Sequence, residues 1–164
     1  MTTIALKDGI MACDSKCTDE FGAFLTRTQK IFRLPNGALL GTAGDADARE
    51  LMDLLGKATL KRLPSRKELA ETQCGFSGIL AFQSGQVFGV HIYMLEKGSD
   101  AEWSAQIVEI EERMAAVGSG QQFAIGAMAA GRSARDAVEI ACRFDSYSQG
   151  PVKEVPVKAA RKPK

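Results

Sequence analysis

Histidine is nearly missing from this chain: its 164 residues hold one, His91, flanked by Val90 and Ile92 in an apolar run. One mid-strand histidine excludes a serine–histidine–aspartate triad, and His91 reads as structural. An excess of one charge is missing too, with 21 Lys plus Arg against 20 Asp plus Glu. That balance argues against a dedicated nucleic-acid or anionic-membrane binder and points to protein partners. The four cysteines, Cys13, Cys17, Cys74 and Cys142, fall at no zinc or redox spacing, so they read as buried reduced thiols, with no metal and no cofactor expected. The N-terminus has no basic segment followed by an apolar one, and no apolar run is long enough to span a bilayer. A cytoplasmic protein is expected.

What is present is the material of one domain, expected over residues 1–157, with a basic tail at 158–164 expected to be disordered. Thr3 to Leu6 and Ile10 to Cys13 read as a hairpin turned by Lys7-Asp8-Gly9, with Asp14 at the exit. After a polar loop, Ala23 to Thr26, Lys30 to Leu34 and Ala38 to Ala43 continue as strands, the last two joined by Pro35-Asn36-Gly37. The period then changes. Ala48, Leu51, Met52 and Leu55 make one helical face, capped by Asp45 or Asp47 and ended by Gly56. A short helix is expected over Ser65 to Glu71. Gly75 to Phe82, Gln86 to Tyr93 and Trp103 to Ile110 read as antiparallel strands parted by the turns Gln83-Ser84-Gly85 and Glu96 to Asp100. Met114 to Val117 is a further strand, stopped by Gly118-Ser119-Gly120. Two helices follow, Gln121 to Ala130 and one capped by a Ser133–Asp136 box with Ala137, Ile140, Ala141 and Phe144 on its apolar face. Gly150 to Val157 is expected as a last strand. Segregated strands and helices predict an α+β domain with helices layered on antiparallel sheet.

One chemical feature stands at the start. Removing Met1 would leave Thr2 as a free N-terminal residue, a hydroxyl nucleophile with a primary amine beside it. Most chains that begin Met-Thr make no use of this. The chain, however, carries Thr2-Thr3-Ile4, Ala12-Cys13-Asp14-Ser15-Lys16, Lys30-Ile31-Phe32-Arg33-Leu34 and Gly41-Thr42-Ala43-Gly44-Asp45-Ala46-Asp47-Ala48 in this order. Gly118-Ser119-Gly120 and Asp145-Ser146-Tyr147-Ser148 come later. Together these resemble the proteasome β-type subunits of the N-terminal nucleophile hydrolase superfamily. In length and texture the chain is most like bacterial members such as the HslV threonine peptidase and the betaproteobacterial proteasome homologue. The resemblance covers about residues 2 to 157 and implies a four-layer αββα sandwich.

It also implies roles. Thr2 would be the nucleophile and its α-amine, with an ordinary pKa of about 7.7 to 8.0, the base. Lys30 would act as a fixed positive charge and not as the base, since a lysine side chain is charged at neutral pH. Asp14 would hold Lys30, although it also reads as a turn aspartate at a strand end. The Gly41 amide would supply the oxyanion donor, Gly41 reading equally as a structural glycine. Ser119, Asp145 and Ser148 would orient the amine and a water. Cys17, Thr28, Leu39 and Ala43 would line the primary specificity pocket, which favours apolar side chains. The stretch from Lys30 to Gly41 and the segment between Gly44 and Cys74 are both short for the family. They leave the pocket register and the ring size open.

The implied activity is a self-compartmentalising endopeptidase, a homo-oligomeric double ring degrading unfolded polypeptides, with an ATPase unfoldase as a partner by analogy. With Met1 directly before Thr2, activation would need only methionine removal. Retained Met1 would cap the amine and leave a non-catalytic ring or scaffold. A third reading keeps the fold and changes the substrate to a non-peptide amide.

Overall fold

The computed structural model describes residues 2–18, 24–26, 28–44, 49–97 and 100–158. The N-terminal strand β1 (Thr3–Lys7) is the central reference of the fold, because it is paired on both sides. It turns through Asp8 and Gly9, both at positive φ (49° and 75°), into β2 (Ile10–Cys13). Two successive positive φ values match the twist of a two-residue hairpin, which is why Asp-Gly stands there. On its other side β1 pairs with β10 (Met114–Gly118), and β2 pairs with β11 (Lys153–Pro156). The result is a four-stranded antiparallel sheet in the order β10-β1-β2-β11.

A five-stranded antiparallel sheet follows chain order: β5 (Ile31–Arg33), β6 (Leu39–Gly44), β7 (Phe76–Ala81), β8 (Val87–Lys97) and β9 (Asp100–Glu109). A ribbon of β3 (Lys16–Thr18) and β4 (Phe24–Thr26) leads into it. The strand at Lys16–Thr18 falls in what was expected to be loop. Its three residues, Lys16-Cys17-Thr18, are too few for a period of two to betray it. The β8–β9 hairpin also runs further than expected, to Lys97 and from Asp100. Glu96 and Glu102, beside that turn, are exposed strand residues, and Gly98 and Ser99 lie outside the described residues.

The pleat sorts side chains into three cores. Ile4, Leu6, Met11 and Cys13 from the first sheet meet Ile31, Leu39 and Ile79 from the second, so the sheets pack face to face. On the outer face of the five-stranded sheet, Leu40, Leu80, Val90 and Ile92 pack with Leu51 and Leu55 of α1 (Arg49–Gly56) and Leu69 of α2 (Arg66–Glu71). Ala5 and Ala12, on the other face of the hairpin, are small enough to admit two helices. Those are α3 (Gln121–Ala129), through Ala124 and Met128, and α4 (Ala134–Phe144), through Ala137 and Val138. Each fully buried leucine or isoleucine contributes about 1.5 to 3 kcal/mol relative to exposure.

The helix ends follow their caps. Ser65 and Glu68 form a reciprocal capping box at α2, and Ser133 accepts the Asp136 N–H at α4 (3.1 Å). The cap expected at Asp45 or Asp47, with Ala48, lies outside the described residues, as does the tail beyond Lys158. Phe144 corrects the expected apolar face of α4: it is 68% exposed, stacked on Phe123 at 5.7 Å instead of buried. Lys7 reaches from the far end of β1 to the carbonyls of Met128 and Arg132 (2.8 Å each), a cation at the C-terminal end of α3. Among the described residues no helix is long and apolar enough to cross a membrane.

Candidate active site

The start of β1 is enclosed. Thr2 is buried and Thr3 fully so. The Thr3 carbonyl accepts the Asp14 N–H (3.1 Å). Across the sheet Thr3 faces Gly118, at φ +97°, where a Cβ would stand 1.9 Å from the Thr2 carbonyl oxygen. A Cβ on Gly120 would stand 2.0 Å from Thr3 Oγ1. The glycines of Gly118-Ser119-Gly120 are therefore required by the close approach of Thr2 and Thr3.

Asp14 is fully buried at the exit of β2 and takes four donors. Its Oδ1 accepts the Thr3 N–H (2.9 Å) and Lys30 Nζ (2.8 Å), and its Oδ2 accepts the N–H groups of Lys16 (3.0 Å) and Gln149 (3.2 Å). Lys30, itself buried, also donates to the Lys16 carbonyl (2.5 Å). A buried carboxylate and a buried ammonium are tolerable only when paired and hydrogen-bonded, and both conditions hold here. Because one oxygen serves both Lys30 and the Thr3 amide, the ammonium is one carboxylate away from the Thr2–Thr3 peptide.

A second carboxylate lies on the other side of that peptide. Asp145, at the C-terminal end of α4, accepts Ser119 Oγ (2.7 Å) and Ser148 Oγ (2.6 Å) on Oδ2, and the Tyr147 N–H (3.2 Å) on Oδ1. Burial alone would push its carboxyl up. The bonds from Ser148, Ser119 and Tyr147 outweigh it and hold the group below the ordinary aspartate value. Ser119 is exposed and also lies 3.4 Å from the Thr2 carbonyl oxygen. Ser148 is buried and is 2.6 Å from Thr3 Oγ1. Thr2, Asp14, Lys30, Ser119, Asp145 and Ser148 thus form one continuous cluster, and Thr3 is the residue through which its two halves meet. Thr3 escaped the sequence reading because a threonine in an apolar strand looks like an ordinary β-former.

Other expected positions fall elsewhere. Thr42 donates its N–H to the Lys30 carbonyl (2.8 Å), so the alternation of the ladder turns the Gly41 amide to the opposite edge, facing Ile79 of β7. This corrects the expected oxyanion donor: the Gly41 N–H points along the sheet, away from Lys30. What requires glycine at this position is packing, since a Cβ there would meet Ile4 Cγ2 and Met11 Sδ, both at 2.8 Å. Leu39 is another correction. It is 1% exposed in the intersheet core, and lies four residues along β6 from Ala43, about 13 Å. Ala43 is buried in the same core, whereas Cys17 and Thr28 are half-buried. The Thr28 N–H donates to the Ser15 carbonyl (3.3 Å). Leu39 and Ala43 thus belong to one intersheet cluster, in which Leu39 is closed off from solvent.

The four cysteines are free. Burial, with Asp14 nearby, pushes the Cys13 and Cys142 thiols up to about 11, so both are protonated at neutral pH and are poor nucleophiles. Among the described residues no three His, Cys, Asp or Glu side chains are grouped to hold a metal.

No family model matches the chain, and no curated protein matches it. Solved structures do: 166 chains match. One is Thiobacillus denitrificans BPH, with a TM-score of 0.59 and 22% identity, covering 95% of this chain and 97% of that one. At this identity the likeness extends to the fold, which the two chains share along nearly their whole lengths.

Proposed function

We propose that this chain is an N-terminal threonine peptidase of the proteasome β-type, HslV-like kind, with the αββα sandwich of the N-terminal nucleophile hydrolases. The observation that carries the reading is the placement of Thr2-Thr3 between two carboxylate networks, Asp14–Lys30 and Asp145–Ser119–Ser148. With Met1 removed, the Thr2 α-amine becomes free. Thr2 Oγ then attacks the scissile carbonyl carbon while its proton passes to that amine, directly or through one water. Collapse of the tetrahedral intermediate breaks the C–N bond, and the same proton goes to the leaving amine. Water, deprotonated by the Thr2 amine, hydrolyses the ester and restores Thr2.

The roles divide by charge. Lys30, fixed by Asp14, supplies positive potential that favours the alkoxide as it develops. Ser119, Ser148 and Asp145 orient the amine and its water. The substrates proposed are unfolded polypeptides, taken in a cytoplasmic homo-oligomeric double ring and fed by an ATPase unfoldase, with no role for nucleic acid or membrane.

Two measurements test this. Intact mass is expected to correspond to a chain beginning at Thr2, and an electrophile that needs both hydroxyl and amine is expected to add there once. Thr2→Ala is expected to abolish peptide hydrolysis while native mass spectrometry finds the assembly unchanged. An unprocessed mass with no adduct makes the chain a non-catalytic ring or scaffold. Hydrolysis confined to non-peptide amides moves it to another branch of the same chemistry.

A further inference from the structure

Thr3 has no part in the chemistry above, yet it is fully buried and uses every polar atom it has. Its N–H donates to Asp14 Oδ1 (2.9 Å), and its carbonyl accepts the Asp14 N–H (3.1 Å). Its hydroxyl is 2.6 Å from Ser148 Oγ. The direction of that bond follows from counting protons. Ser148 has one hydroxyl hydrogen, and it goes to Asp145 Oδ2 at 2.6 Å, so Thr3 must donate and Ser148 must accept. A relay therefore runs from the Thr3 hydroxyl through Ser148 to Asp145, while the Thr3 backbone is tied to Asp14 and, through Asp14, to Lys30.

The fold alone does not ask for this hydroxyl. Valine has nearly the same shape and suits a buried strand as well or better. The space around Oγ1 is nevertheless kept for it, since a Cβ on Gly120 would come within 2.0 Å. We infer that Thr3 is a positioning residue, which fixes the preceding residue, Thr2, against both carboxylate networks at once. This rests on the reading of Thr2 as the nucleophile. The hydroxyl sets the orientation of Ser148 and Asp145 around the Thr2 amine, and the backbone bonds to Asp14 set the distance between Thr2 and the Lys30 charge.

The experiment compares Thr3→Val, Thr3→Ser and Thr3→Ala in the full processed protein, using an unstructured peptide substrate. Thr3→Val is expected to lower kcat about 10- to 100-fold, the scale of a displacement near 1 Å, with KM changed by no more than about twofold. Thr3→Ser, which keeps the donor, is expected to return kcat to within about threefold of wild type. Thr3→Ala carries the comparison if the valine variant does not fold. Independently of activity, melting temperatures of Thr3→Val, Ser148→Ala and the double variant form a cycle. The double variant is expected to melt no lower than the worse single one.

The outcomes separate the two ideas. An active wild type with an unimpaired Thr3→Val overturns the positioning role and leaves Thr2 as the nucleophile. A wild type that cleaves no peptide overturns the peptidase reading, and the melting cycle then decides whether Thr3 joins the two networks. Additive losses in that cycle overturn the relay.

Discussion

The two ends of β1, Thr3 and Lys7, are only four residues apart and are built in opposite ways. At the Thr3 end, Asp14 and Asp145 between them take seven donors, and two glycines are pressed against Thr2 and Thr3. At the Lys7 end the sandwich is open. A cavity of about 560 Å3 enters between the sheets there, with Leu6, Val87, Ile110 and Val157 on its walls and Asp8, Glu111 and Arg113 among its polar residues. Gly9 and Gly85, which also line it, have nothing within 4 Å of an added Cβ. Order is concentrated where a reacting group would need a fixed position, and the same strand is loosely enclosed where nothing has to be aimed.

Breaking the Thr3 end should cost most. Lys30→Met keeps much of the side-chain volume and removes the ammonium, leaving Asp14 buried with its three N–H donors. Removing one partner of a buried pair costs about 3 to 5 kcal/mol, and the remaining donors place this variant at the lower end. Urea unfolding should register that loss, with peptide hydrolysis falling to background. A loss below about 1 kcal/mol, the range of exposed pairs, would mean that the site is wetter than its burial suggests.

Next comes a single added carbon. Gly118→Ala forces an L side chain to φ +97° and sets its Cβ 1.9 Å from the Thr2 carbonyl oxygen, where backbone has to move. The unfavourable dihedral costs roughly 1 to 3 kcal/mol and overpacking about 1 to 3 more. Because the atom displaced belongs to Thr2, kcat should fall further than stability alone would explain.

Seen against the sequence, the contrast between the ends was half legible. Strand and helix positions followed from period and turn residues, because amphipathic spacing is a local property. The residues of the Thr3 end could be named one by one, since each occurs in a short motif resembling a known family. Their connection could not. Thr3 looked like a β-former, and only three-dimensional contact reveals that its hydroxyl meets Ser148, 145 residues away. Gly41 and Leu39 were misplaced for a different reason. A strand's side chains alternate faces and its amides alternate edges, so which residue faces Lys30 depends on hairpin register, which a one-residue difference in loop length reverses. The cavity left no trace in sequence, because Leu6, Val87 and Ile110 are patterned as any core residues would be.

A smaller effect is read through pH. Asp145 is held below its ordinary value, so its hydrogen bonds stabilise the fold fully above about pH 3.9 and are lost as pH falls through the lower folded value. His91 is lowered by burial, so the unfolded chain takes up its proton first, and stability begins to decline as pH falls below about 6.5. Urea midpoints measured from pH 7 to pH 3 should therefore decline in two stages. His91→Asn should remove the upper stage alone. If the decline near pH 6 persists in that variant, the lowering of His91 is not its source.

The smallest effect belongs to the open end. Val87→Ile adds one carbon, as Gly118→Ala does, but from a half-buried wall of the cavity instead of a pinched backbone. Burying one more CH2 group is worth up to about 0.8 kcal/mol, and ordering a longer side chain offsets part of it. The variant should match or slightly exceed wild type in urea midpoint, with kcat unchanged, because Thr2 is at the other end of β1. A loss of more than about 1 kcal/mol, the usual cost of overpacking, would mean that this end is as closely packed as the first and that the contrast between them is wrong.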